Sequence, residues 1–461
     1  THFVKEDTAI DLEAQVRGNT VYLVDRRIEM LPTLLSTNLC SLRSDVDRFA
    51  FSCLWEMTQD AEVVSVSFTK SVIRSKASLS YDQAQARMDD KSLTDELTLN
   101  LRALNRIAKI LRKRRMDRGA LVLASPEVKF KNEDESGDPV DLEMYEMKEA
   151  NALVEEYMLL ANVAVAEHIY KSYPKFAMLR RHPVPDPHNF DSLVACLKDL
   201  GVTLDTRTSR TLSDSLDNAM LPQNEYFNKL VRIMTTRCMS QAVYFSSGTQ
   251  PYDQFMHYGL AAPIYTHFTS PIRRYADCIV HRLLAGSIRQ APLPKCVDNQ
   301  KCQKICDGIN YRHRMAQAAG RLSVELHTVL FFKGRVVHDI AYVTRVKANG
   351  LHAIVPRYGI ESLILTENLP NGSELRFDPK TNTLVSPTNS RVGVFDQLRV
   401  TISVDDSHVS RLQLKLVATS LVPVAEAVSL SNGLLPDGAD SKRKADGAEN
   451  SSQNGTKKSK K

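Results

Sequence analysis

Hydrophobic and polar positions change period several times along this chain, and each change marks an element. Leu101, Leu104, Ala108 and Leu111 recur at helical spacing, with Arg102, Arg106, Lys109, Arg112, Lys113, Arg114 and Arg115 around them. Gly119 stands where such a helix would be capped. Cations near a helix C-terminus complement its dipole, so this cluster reads either as ordinary end chemistry or as a nucleic-acid contact. A second long helix is predicted from about 149 to 170, with Leu153, Tyr157, Leu160 and Val163 inward and the adjacent acids Glu155 and Glu156 along it. Between the helices, Val128-Lys129-Phe130 and Val140-Asp141-Leu142 flank an acidic run at 133–138. That run reads as a solvated hairpin tip rather than a metal site.

From 330 to 421 the period falls to two. Tyr342–Val346, then Asn349-Gly350, then 351–355 predicts strand, tight turn and strand. Leu398, Val400, Ile402 and Val404 alternate, as do Leu412, Leu414 and Leu416, with Asp405-Asp406-Ser407 as the turn between them. About five short strands suit a small Greek-key barrel of the OB type, with a β-sandwich as the competing architecture. Residues 1–329 mix strands and long helices as an α/β (mixed α+β) unit. Residues 422–461 form a third region. From Ser431 onward it is Gly, Asp, Ser, Asn and Lys with few apolar residues, a composition that cannot offset its ordering entropy.

The chain has 461 residues, 43% of them hydrophobic and 25% charged. No apolar run approaches the roughly 20 residues of a membrane span. The longest, 158–166, is broken by Asn162, so neither a transmembrane helix nor a membrane partner is expected. Eight cysteines without a secretory leader predict free thiols in a reducing compartment. Cys296, Cys302, Cys306 and His313 lack the tight spacing of a zinc knuckle. A nucleophile elbow, a P-loop and a dinucleotide fingerprint are all missing. Net charge is +6, and residues 431–461, with seven basic and four acidic side chains, supply half of it. Lys442-Arg443-Lys444 and the lysines at 457, 458, 460 and 461 are spaced like a nuclear localisation signal, or are a merely solvated tail.

The densest pattern is His257-Tyr258-Gly259-Leu260, followed by Tyr265-Thr266-His267-Phe268-Thr269-Ser270-Pro271-Ile272-Arg273-Arg274-Tyr275-Ala276-Asp277. Ser270 and Pro271 predict a helix cap and first helical position, with Arg273 and Arg274 just inside. A helix N-terminus with guanidinium groups beside it suits a phosphate. Tyr258, Tyr265, Phe268 and Tyr275 either stack on bases or fill the core. Arg274 either faces the anion or bridges to Asp277 on the surface.

That run, continuing to His281-Arg282-Leu283-Leu284, resembles the signature of the ribonuclease II (RNB) family, as do Leu31-Pro32 and Leu39-Cys40-Ser41-Leu42. With an S1-type OB module and a basic tail behind it, the chain is most similar to the family's exosome-linked branch. The resemblance implies Mg²⁺-dependent, processive 3′→5′ hydrolysis of single-stranded RNA to nucleoside 5′-monophosphates. It further implies partnership with exosome core subunits and residence in the nucleus (nucleolus and nucleoplasm), with the cytoplasm as a second site. Residue by residue, Arg273 matches the arginine that stabilises charge at the scissile phosphate, and Arg274 stands beside it as an RNA contact. Tyr22 matches the tyrosine that holds the 3′-terminal nucleotide, Glu155 an acid that hydrogen-bonds a ribose, and Tyr81 an RNA-lining position. Leu123 stands where a bacterial relative stacks a phenylalanine on a base. The family's metal-holding Asp-x-Asp-Asp cluster lies upstream of the segment matching Thr1, and this chain contains no such motif. The expectation is a C-terminal portion, opening at Thr1 inside a patterned stretch, that binds RNA but cleaves it poorly. A non-catalytic RNA-binding protein on the same fold is the alternative.

Overall fold

The computed structural model describes residues 1–422 except 125–127, 133–138, 145–146, 296–297, 388–389 and 406–412. The acidic hairpin tip, Cys296, the turn after Asp405 and the basic tail therefore lie outside the described residues. The chain opens with α1 (Ala9–Arg17) and a short hairpin of β1 (Val21–Tyr22) and β2 (Arg27–Ile28). A long antiparallel pair follows, β3 (Asp47–Met57) with β4 (Val63–Arg74). Next come α2 (Tyr81–Asp89), started by a Ser80–Gln83 capping box, and α3 (Glu96–Asp117). The pair β5 (Val128–Asn132) and β6 (Pro139–Met144) leads into α4 (Glu149–Ser172). Then β7 (Met178–Arg181) pairs across α5 (Asp191–Asp199), α6 (Ser209–Asn218) and α7 (Phe227–Arg237) with β8 (Val243–Ser246). The first unit closes with α8 (Tyr275–Ser287) and α9 (Asn299–Phe332).

The main core joins α4, β7, β8, α8 and the first half of α9 through Val165, Ile169, Met178, Leu179, Phe245, Ile279, Leu283 and Cys306. Cys302 and Cys306 are buried in this core. Along α4 the buried positions are Ala150, Glu156, Leu159, Ala161, Asn162, Val165, Ala166 and Ile169, whereas the expected Leu153, Tyr157, Leu160 and Val163 are half-buried. The inward stripe is shifted because α3 and α8 both pack against this helix. In α3, Ala108 is buried but Leu104 is 42% exposed. Several of its cations are structural: Arg102 donates to the carbonyls of Arg87, Met88, Asp90 and Leu93, and Arg114 to those of Asp60 and Ala61. Gly119, at φ +93°, turns the chain just past the helix end, as expected.

The second unit is a five-stranded antiparallel sheet in the order β11 (Ile360–Leu365), β10 (Gly350–Val355), β9 (Val337–Lys347), β15 (Gln397–Asp405), β16 (Gln413–Val422). Its outer strands β11 and β16 come together, and β12 (Arg376–Asp378), β13 (Thr383–Val385) and β14 (Arg391–Val392) form a small side sheet. The predicted alternation holds: Leu398, Val400 and Ile402 are buried. The tight turn is Ala348-Asn349, one residue earlier than expected, and Gly350 already pairs with Leu365. A Cβ on Gly350 would lie 2.2 Å from the Ile364 carbonyl oxygen, so a side chain is excluded there.

The boundary expected at 329–330 falls inside α9, whose Phe331 and Phe332 belong to the barrel core. The barrel is also held to α7 by a third apolar cluster containing Phe227, Leu230, Ile354 and Phe395. Arg237 grips Glu361 at 2.8 and 2.5 Å on the rim of that contact.

Candidate functional site

The segment 265–275 is tied down residue by residue. Thr266 Oγ1 donates to the Met178 carbonyl, and the Phe268 amide donates to Asn162 Oδ1 at 2.9 Å. Asn162, fully buried on α4, also donates to Tyr265 Oη at 2.9 Å. His281 Nε2 meets the Phe268 carbonyl at 2.7 Å. Past this point the chain makes a turn rather than a helix. The amides of Arg273 and Arg274 return to the Ser270 carbonyl, and α8 starts only at Tyr275 with Arg274 as its N-cap. The expected cap at Ser270 is thus wrong. The reason is the backbone of Arg274, which is extended (φ −138°, ψ 120°) and bridges to Asn19, so that the Tyr275 amide goes to the Gly18 carbonyl instead of continuing a helix from Ser270. Tyr258, Tyr265, Phe268 and Tyr275 are all core residues, at most 5% exposed, and are not free to stack on bases.

Against this turn lies the strip Gly18–Thr20. Thr20 donates its amide to the Arg273 carbonyl at 3.0 Å, and Tyr275 donates to Gly18 at 2.9 Å. The cleft between them has a volume of about 340 Å³ and is walled by Asn19, Tyr22, Tyr244, His267, Arg273, Arg274, His313 and Gln317. Three of the six sequence-predicted residues, Tyr22, Arg273 and Arg274, therefore share one cleft, and Tyr22 is 53% exposed at its mouth. Arg273 also borders a second cleft, lined among others by Phe3, Phe49, Phe51 and Phe268. Arg274 faces Asp277 in a buried ion pair, not a surface bridge.

The remaining three lie elsewhere. Glu155 on α4 pairs with Arg115 at 3.2 Å, and the same guanidinium holds the buried Glu156 at 2.5 Å. Tyr81, the first residue of α2, is 47% exposed. Leu123 packs half-buried against the third apolar cluster.

Residues that sequence reasoning missed complete the cleft. Arg180, on β7, places its guanidinium 4.6 Å from the centre of the Tyr244 ring. Tyr244 Oη in turn meets His267 Nδ1 at 2.5 Å. A cation pair, Arg180-Arg181, ending a short apolar strand was the available signal. Burial and the arginines push His267 far below its ordinary value. Burial, His182 and Arg180 push His257 down to about 3. Burial with Arg180 and Arg274 pushes His313 down to about 4. These imidazoles are neutral near pH 7, and burial likewise keeps Tyr244 and Tyr265 protonated. The positive field therefore comes from Arg180, Arg273 and Arg274.

Such a cleft suits a phosphodiester: guanidinium donors to hold its charge and an exposed ring at the mouth for a sugar or base. No carboxylate is among the described residues that line it. Mg²⁺ takes oxygen ligands, chiefly carboxylates, and among the described residues no three His, Cys, Asp or Glu side chains gather on one point. The described residues do not fit the metal that the resemblance implies, and no chemical step is derived through it. No described helix is long and apolar enough to cross a membrane.

An RNB domain matches residues 1–290 and an S1 domain residues 337–416. Exosome complex exonuclease RRP44 of Mus musculus is 48% identical over 419 residues, which is 90% of this chain and 43% of that protein. Exosome complex exonuclease dis3 of Schizosaccharomyces pombe is 49% identical over 428 residues, 90% of this chain and 44% of that protein. Among solved structures, Mycoplasma genitalium RNase R in complex with ribose methylated single-stranded RNA superposes with a TM-score of 0.79 at 25% identity, covering 90% of this chain and 65% of that one. The chain thus spans less than half the length of these curated relatives.

Proposed function

The chain belongs to the RNB family, and on that premise we propose that it is the RNA-gripping portion of a 3′→5′ exoribonuclease. The whole protein would digest single-stranded RNA processively to nucleoside 5′-monophosphates, together with the exosome core. The observation that carries this reading is the cleft that Arg273 and Arg274 wall beside Tyr22, with Arg180 backing its Tyr244. In it Arg273 meets the scissile phosphate and Tyr22 the 3′-terminal nucleotide. Its carbonyl and amide are both spent on backbone partners, so Arg273 presents a guanidinium from a fixed stem. Among the described residues that guanidinium has no carboxylate partner.

The other assignments stand further from the structure. Glu155 would reach a ribose 2′-OH, which distinguishes RNA from DNA, once Arg115 is shared with its neighbour Glu156. Tyr81 and Leu123 would line the RNA path, Leu123 by apolar contact instead of stacking. The three regions 1–329, 330–421 and 422–461 would act as nuclease body, S1-type RNA-binding barrel and basic tail, the last directing the protein to the nucleus. The Mg²⁺ ligands would come from outside residues 1–461.

The test uses this chain, a 5′-labelled single-stranded RNA and Mg²⁺, following binding and shortening together. Binding without shortening is expected, with cleavage appearing in the longer natural protein. A longer protein that binds yet never cleaves would favour the non-catalytic alternative. Shortening by this chain alone, abolished by EDTA, would place the metal ligands within it and overturn that assignment.

A further inference from the structure

Two adjacent arginines line the cleft, yet their surroundings differ. Arg274 is spent on Asp277: its Nε donates to Oδ2 at 2.8 Å and its Nη2 to Oδ1 at 2.9 Å. Asp277 is fully buried, and its Oδ1 also takes the Ser270 amide at 2.6 Å. One carboxylate thus binds the first residue of the 270–274 turn and the last. Arg273 sits between them with no such partner among the described residues. Asp277 also weighs on the phenol of Tyr244, against the cations Arg180 and Arg274.

We propose that Asp277 is a positioning residue that divides the charge of the pair, holding Arg274 back in the wall so that Arg273 alone is advanced to the phosphate. The inference rests on the RNA-binding reading of the cleft. Physically, a guanidinium bound side-on to a carboxylate in a buried site has committed its best donors to that acid. An unshielded neighbour would compete with Arg273 for the same oxyanion and hold a reaction product as firmly as a substrate. Binding that does not discriminate between ground and transition states lowers KM without raising turnover, and a product held that firmly leaves slowly, which lowers turnover.

The experiment measures the affinity of the chain for a single-stranded RNA as a function of salt, for wild type, Asp277→Asn and the double variant Asp277→Asn/Arg274→Gln. Each phosphate-bound cation adds about 0.7 to the slope of log affinity against log salt for single strands. Asp277→Asn frees Arg274, so it should bind several-fold tighter at low salt with a slope steeper by about 0.7. In the longer natural protein its turnover should fall at least tenfold while KM drops. A merely structural acid would move stability but not the slope. The double variant carries neither charge and should keep the wild-type slope, which keeps the idea testable even where Asp277→Asn does not fold. A shallower slope in the double variant would mean that Arg274 holds a phosphate in the wild type, and would overturn the proposal. An unchanged slope in a folded Asp277→Asn would overturn it equally, with the RNA reading left standing. Wild type that fails to bind RNA at all would bring down the reading and this inference with it.

Discussion

The cleft and the barrel solve the problem of placing cations in opposite ways. In the barrel, Arg345 and Lys347 stand exposed on β9 while Val346 between them is buried, so the alternation that builds the core also delivers charge to the surface. In the cleft, the arginine turn is set by polar bonds from outside it: Asn162 to the 265–268 segment leading in, Asp277 to both ends of the turn, Gly18–Thr20 to its backbone. These two barrel cations stand exposed on the surface. Those of the cleft are fixed, which is what stabilising a transition state demands.

The sharpest way to break this contrast is Arg273→Ala in the longer natural protein. Turnover should fall by orders of magnitude, roughly 3 kcal/mol or more if Arg273 acts like a lost oxyanion donor, while RNA affinity stays nearly unchanged. Equal losses in both would make Arg273 a gripping residue. Next in size is Asn162→Ala, which strands the Tyr265 hydroxyl and the Phe268 amide in the core. A loss of about 2–4 kcal/mol in urea unfolding is expected. A loss below about 1 kcal/mol, the scale of one ordinary hydrogen bond, would show that the segment holds itself.

Acid should separate the halves further. Burial pushes His281 down to about 4 from 6.5, so it stays neutral in the fold while the unfolded chain takes up a proton below about 6.5. Stability from this group is therefore flat above pH 6.5 and falls as pH drops toward 4, by at most about 1.4 kcal/mol per pH unit. Thermal melts at pH 7 and pH 5 should differ, and His281→Gln should flatten the difference. Equal melting at both pH values would sink this account. The smallest effect is expected from Arg345→Gln with Lys347→Gln. RNA binding should weaken several-fold, and the salt slope should drop by about 1.4 if each of the two side chains neutralises one phosphate. Turnover at saturating RNA should barely move. An unchanged slope would remove β9 from the RNA path.

The same contrast explains what could be read from the sequence. Alternation at Leu398, Val400 and Ile402 is a local signal, and the barrel strands lie where it put them. The arginine-rich run was legible as a motif, but its geometry was not. Ser270-Pro271 carries a strong helix-start signal, yet a bridge to Asn19, near the start of the chain, holds Arg274 extended and delays the helix to Tyr275. Arg180 escaped notice because nothing near it in sequence says that β7 will lie beside β8 and Tyr244. On α4 the inward face is set by packing from two sides, which a single-stripe reading does not capture.

The helix α9 has a last consequence, for how such chains can change over time. Its 34 residues run about 50 Å, from Cys302 and Cys306 in one core to Phe331 and Phe332 in the other. A flexible linker would tolerate insertions and deletions. In a continuous rod, one added residue swings everything beyond it by about 100° and shifts it about 1.5 Å. The apolar seam of Phe227, Ile354 and Phe395 would then no longer meet. The number of residues between Cys306 and Phe331 is thus as tightly fixed as the identity of a buried side chain, although many positions along that stretch are exposed and free to vary.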